Sequence, residues 1–143
     1  MKTRVVVLFT LAVSAFAAST LAHHSFSAEY DQSKPLTLSG KLTRIVSENP
    51  HGWIYLAVKN VSGKTVTWQL ETPGPGVLDR NGLTRDVSNE LVASGESVTV
   101  TAYAARDESK HAWAAGLTRA DGRILSLGGV PSGPGGLGGG RGQ

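Results

Sequence analysis

Four histidines, His23, His24, His51 and His111, are the residues best equipped for chemistry in this 143-residue chain. Cysteine is absent and the single methionine is Met1, so thiol chemistry and soft sulfur ligands are excluded. A transition-metal site would have to use nitrogen and oxygen donors, which suit Cu(II), Zn(II) or Ni(II) better than Cu(I). Cutting the chain after Ala22 would give His23 a free α-amine. That amine and the His23 ring could chelate one ion together, and a third nitrogen from a distant imidazole would complete a T-shaped copper site, a histidine brace. His51, on a turn beside aromatic residues, is the best third ligand. His24 offers another mode, with the amine, a backbone amide and its own ring around the ion. The plainer alternative is a mobile arm that takes up metal adventitiously and a His51 that caps its turn. His111 follows Lys110 on a polar turn and reads as a surface residue.

Other chemistry is thinner. Glu29, Asp31, Glu48 and Glu71 could stand near these histidines, but acid–base work needs a mutual geometry that spacing does not supply. Charged residues along strands ordinarily form a solvent face. No nucleophile elbow, phosphate loop or paired metal-ligand spacing is present. No catalytic residue is assigned, and a binding protein is expected rather than an enzyme. A copper-dependent oxidative enzyme is the remote alternative. Trp53, Tyr55 and Tyr103 fall on outward strand faces, where Trp53 and Tyr55 could offer a small aromatic platform to a ligand. Ordinary cross-strand pairing is the preferred explanation.

The cut after Ala22 is suggested by the N-terminus. Lys2 and Arg4 precede an apolar run over residues 5–18, broken only by Thr10 and Ser14. Ala15-Phe16-Ala17 and Thr20-Leu21-Ala22 then provide small-residue cleavage sites. Together these make an export signal, residues 1–22, directed to the periplasm or the exterior. A membrane anchor is disfavoured, because a span needs about 20 strongly apolar residues and this run is shorter. Without Lys2 and Arg4, 12 basic residues face 11 acidic ones, so the mature chain has no electrostatic footprint for nucleic acid.

The elements that must hold the histidines follow. Residues 23–35 lack a clear period and read as an extended arm, which Phe26 and Tyr30 could pin to the body. Residues 36–48 form the first strand, with Leu36, Leu38, Gly40 and Leu42 on one face. Ile45 and Val46 break the phase and suggest a bulge. Asn49-Pro50-His51-Gly52 is a turn. Residues 53–59 and 65–71 alternate on either side of Asn60-Val61-Ser62-Gly63-Lys64 and form a hairpin. Residues 77–82 could make one or two helical turns, and residues 84–96 read as a polar connection. Strands follow at 97–105 and 111–119, with a last edge strand at 123–127. This order points to an all-β fold, a small antiparallel OB-like barrel over residues 36–127 with one short helical segment. From residue 128 to 143, 9 of 16 residues are glycine, which reads as a disordered tail.

His23-His24-Ser25-Phe26, Tyr30-Asp31, Asn49-Pro50-His51 and Trp53-Ile54-Tyr55 form a recognisable series. It continues through Leu83-Thr84-Arg85-Asp86, Val98-Thr99-Val100 and Ala120-Asp121-Gly122-Arg123. The series resembles a family of small exported proteobacterial proteins classed as a domain of unknown function. The resemblance implies export and a small β-fold, and no activity. The chain departs from it in the glycine-rich tail and in Gly52 beside the histidine. The expectation is therefore a periplasmic or secreted binding protein that holds Cu(II) or Zn(II) through His23, His24 and His51, or a metal-free module for a small ligand or a periplasmic protein.

Overall fold

The computed structural model describes residues 26–130. The expected export segment (residues 1–22), His23, His24 and most of the glycine-rich tail lie outside the described residues. One helical turn, α1 (Phe26–Glu29), leads into β1 (Tyr30–Val46), and β2 (His51–Lys59) and β3 (Thr65–Pro73) follow. Helices α2 (Pro75–Arg80) and α3 (Arg85–Ser94) precede β4 (Ser97–Ala105), β5 (His111–Thr118) and the short β6 (Ile124–Ser126). No helix among the described residues is long and apolar enough to cross a membrane.

The sheet runs in the order β3-β2-β1-β4-β5-β6, and β3 also pairs with β5 to close a five-stranded OB-like barrel. Closure departs from the expected all-antiparallel pattern. Gln69, Leu70 and Glu71 pair in parallel with His111, Ala112 and Trp113, whereas every other pair is antiparallel. A parallel pair needs a crossover, and α2, α3 and β4 supply it.

Strand β1 serves two neighbours, pairing with β4 from Tyr30 to Lys41 and with β2 from Lys41 to Val46. Gly40 sits at the handover. A Cβ there would lie 2.2 Å from the Ala57 carbonyl oxygen, so only glycine admits so close an approach. The register shift between Leu42 and Arg44 explains the broken phase at Ile45 and Val46. The strand begins at Tyr30 rather than at Leu36. The polar residues Asp31 to Lys34 hide the alternation, but the backbone already pairs Tyr30 with Ala105.

Inside the barrel lie Leu38, Leu42, Ile54, Leu56, Leu70, Val98, Val100, Ala102 and Leu117, joined by Leu78 of α2 and Leu91 of α3. Helix α3 stands where a polar connection was expected. Thr84 caps it by accepting from the Val87 N–H, and Val87 and Leu91, four apart, turn one face to the core. Leu127 is fully buried, and the Trp113 indole N–H donates to the Gly129 carbonyl at 2.8 Å. The body therefore extends past residue 127, where the tail was expected to begin.

Candidate functional site on the outer barrel face

Consecutive residues of a strand face opposite ways, so a run of buried residues means that both faces are covered. Two adjacent strands carry such runs. Leu70, Glu71 and Thr72 are all buried in β3, as are Ala112, Trp113 and Ala114 in β5. Leu70, Ala112 and Ala114 face the core, so Glu71 and Trp113 occupy the outer face. Cross-strand register continues that row, with Trp53 opposite Glu71 on β2 and Tyr103 opposite Trp113 on β4.

The cover comes from the N-terminal end of the described chain. The Phe26 ring lies 5.5 Å from Tyr30, 5.7 Å from Trp113 and 6.0 Å from Tyr103, the last two contacts edge-on. Tyr30, Ala105 and Trp113 form a second apolar cluster, separate from the barrel core. Arg106 ties the turn down, donating from Nε to the Ser27 carbonyl and from its backbone N–H to the Glu29 carbonyl.

Glu71 is 6% exposed beneath this cover. The Tyr30 hydroxyl donates to its Oε2, and the Nδ1 of His51 hydrogen-bonds its Oε1. Burial pushes the Tyr30 phenol far above its ordinary range; the hydrogen bond to Glu71 and that residue's charge add to the effect, as do the Glu29 and Asp107 carboxylates. His51 opens β2 directly after the cis Asn49-Pro50 bond, and its ring meets Trp113 edge-on at 5.5 Å. With Nδ1 engaged and the side chain 39% exposed, Nε2 is the nitrogen left for an incoming group. Gly52 makes room for this approach, because a Cβ there would meet the Val46 carbonyl at 2.7 Å and Thr72 Oγ1 at 2.8 Å.

His111 is not the surface residue that its polar neighbours suggest. It opens β5 half-buried, stacked on Trp53 at 5.1 Å and 12°, with Nε2 buried and lacking a hydrogen-bond partner. Trp53 thus gives one ring face to His111, and Tyr55 lies under the Arg44 guanidinium at 5.5 Å. Beside this group a cleft of about 400 Å³ is lined by Ala28, Glu29, Tyr30, Ala105, Arg106, Asp107 and His111.

Of the residues singled out by sequence, the structure brings His51 into this cluster and sets Trp53 and Tyr55 on the same strand. His23 and His24 fall outside the described residues, and the described residues alone contain no group of three metal-ligating side chains. Sequence reasoning missed the burial of Glu71, its link to Tyr30 and the position of His111. One usable signal existed. Phe26 and Tyr30 near an outward Tyr103 are large rings for an open outer face, which implies a cover, whereas Trp113 shares the phase of Leu117 and reaches the outer face only through the register shift between β4 and β5.

Comparison with known proteins returns no matching curated protein and no matching solved structure. A family of unknown function, DUF6152, matches residues 10–114, a span that includes all four histidines, Tyr30, Glu71 and Trp113. The chain belongs to this family of unknown function.

Proposed function

We propose that the mature protein is an exported, non-enzymatic binding module whose ligand is a divalent transition-metal ion, Cu(II) first and Zn(II) second. Export removes residues 1–22 and delivers the chain to the periplasm or the exterior. His23, its freed α-amine and His51 hold the ion, with His24 as the alternate ligand. One observation carries this proposal: Glu71 occupies the Nδ1 side of His51, so a partly exposed imidazole presents Nε2. Metal-bound histidines are commonly held in this way by a carboxylate on the other ring nitrogen. The chain also starts close by. Phe26 and His51 touch the same indole, Trp113, and the three residues from His23 to Phe26 can reach about 10 Å when extended.

Mass spectrometry of protein purified from the periplasm of an expressing cell tests both halves of the proposal. A chain that begins at His23 and retains copper or zinc is expected. A chain cut after Ala17, or one cut at His23 that carries no metal even after incubation with Cu(II), contradicts it.

The alternative is a metal-free module for a small ligand or a periplasmic protein, with the cleft of about 400 Å³ beside Tyr30 and His111 as the place to look. The cleft lining includes Ala28 and Ala105 together with Arg106 and Asp107. A mature protein with no metal affinity would direct attention to that cleft.

A further inference from the structure

We infer that Glu71, steadied by Tyr30, is the positioning residue that makes His51 a ligand, fixing the imidazole with its proton on Nδ1 and supplying counter-charge to a divalent cation at Nε2. For the identity of the ion this rests on the metal-binding function proposed above. For the orientation of the ring it rests on geometry alone.

The carboxylate is the unusual part of the cluster. A buried charge is costly unless it is paired and hydrogen-bonded. The arginine ion pairs of the described residues lie elsewhere, Arg106 with Asp31, Arg119 with Glu90 and Glu96, and Arg123 with Asp121. Among the described residues no lysine or arginine pairs with Glu71. Its oxygens are instead taken one each by Tyr30 of β1 and His51 of β2. Two donors from different strands hold the carboxylate in one orientation. An ionised carboxylate accepts and cannot donate, so the proton on its imidazole neighbour belongs on Nδ1. Trp113 packs edge-on against the same ring at 5.5 Å. The outcome is a directed Nε2 lone pair beside a buried carboxylate that has no lysine or arginine partner among the described residues. An anion would be repelled there. A divalent cation with a preference for nitrogen would be held, and its charge would offset that of the carboxylate.

The test uses the mature protein beginning at His23, in its wild-type, Glu71→Gln and Tyr30→Phe/Glu71→Met forms. The double variant leaves no stranded hydroxyl. Two-bond proton–nitrogen correlation spectra of the metal-free forms at about pH 8, above the ordinary imidazole range, report which ring nitrogen of His51 carries the proton. Titration with Zn(II) and Cu(II) alone reports affinity. Expected are an Nδ1-protonated His51 in the wild type, loss of that preference in the double variant, and Zn(II) binding weakened about 10- to 100-fold in Glu71→Gln. A wild-type His51 protonated on Nε2 overturns the inference, as does a Glu71→Gln form that binds Zn(II) like the wild type. Both of those readouts survive if the double variant fails to fold. A wild-type protein that binds neither ion yet keeps the Nδ1 proton overturns the metal-binding function and leaves the positioning of His51 standing, so the two failures are distinguishable.

Discussion

Tyr30 is the residue whose ionisation bears most directly on the stability of the outer-face cluster. Its phenol stays protonated in the fold far above the ordinary value near 10, because burial and the Glu71 carboxylate both oppose a second negative charge. The folded pKa is raised, so the contribution of Tyr30 to stability is fully present below about pH 10. It is lost above that pH, where the unfolded chain ionises and the folded one cannot, at about 1.4 kcal/mol per pH unit. Absorbance titration should therefore show Tyr30 ionising only on alkaline unfolding. Tyr30→Phe should cost about 1–3 kcal/mol at neutral pH, since it strips a buried acceptor of its donor, and should flatten the alkaline limb. A Tyr30 phenol that titrates near pH 10 without unfolding would contradict the buried contact. At this scale the place of His51, directly after a turn and beside aromatic residues, was legible. Glu71 was not distinguishable from Glu29, Asp31 and Glu48, because its partner Tyr30 stands 41 residues away and no local pattern marks the contact.

Element boundaries followed the same logic of local and distant causes. The β2–β3 hairpin was readable because alternation and turn residues lie within one short stretch. The early part of β1 was hidden, since its pairing with β4 fixes it while its own side chains stay polar. Helix α3 was missed although Thr84, Val87, Leu91 and Gly95 together mark a capped helix with one apolar face. At the start of β2 the close contacts of Gly52 make a specific test. Gly52→Ala should lower stability by about 1–3 kcal/mol, read from the denaturant midpoint, because the new methyl group meets backbone and the Thr72 hydroxyl. It should also displace the adjacent His51 from Glu71 and weaken Zn(II) binding. Unchanged stability and unchanged binding would show that β2 shifts freely, against the tight register seen here.

For the molecule as a whole, strand order and the OB-like class were readable because each strand announces itself locally. The parallel closure of β3 on β5 was not, since it depends on how the α2–α3 crossover turns the chain. Nor was the decisive feature, an N-terminal turn laid over the outside of the barrel so that one sheet region is covered on both faces. That arrangement brings the aromatic cover and the Tyr30–Glu71–His51 chain together, with Phe26 three residues along the chain from the proposed new N-terminus at His23. A copper titration of three forms, the mature protein, a version with one extra residue before His23, and His51→Ala, tests this linkage most directly. The mature form should bind one Cu(II) with the highest affinity, and both the blocked amine and the missing imidazole should weaken it by about tenfold or more. Equal affinity in all three forms would contradict a site built from the new N-terminus and His51.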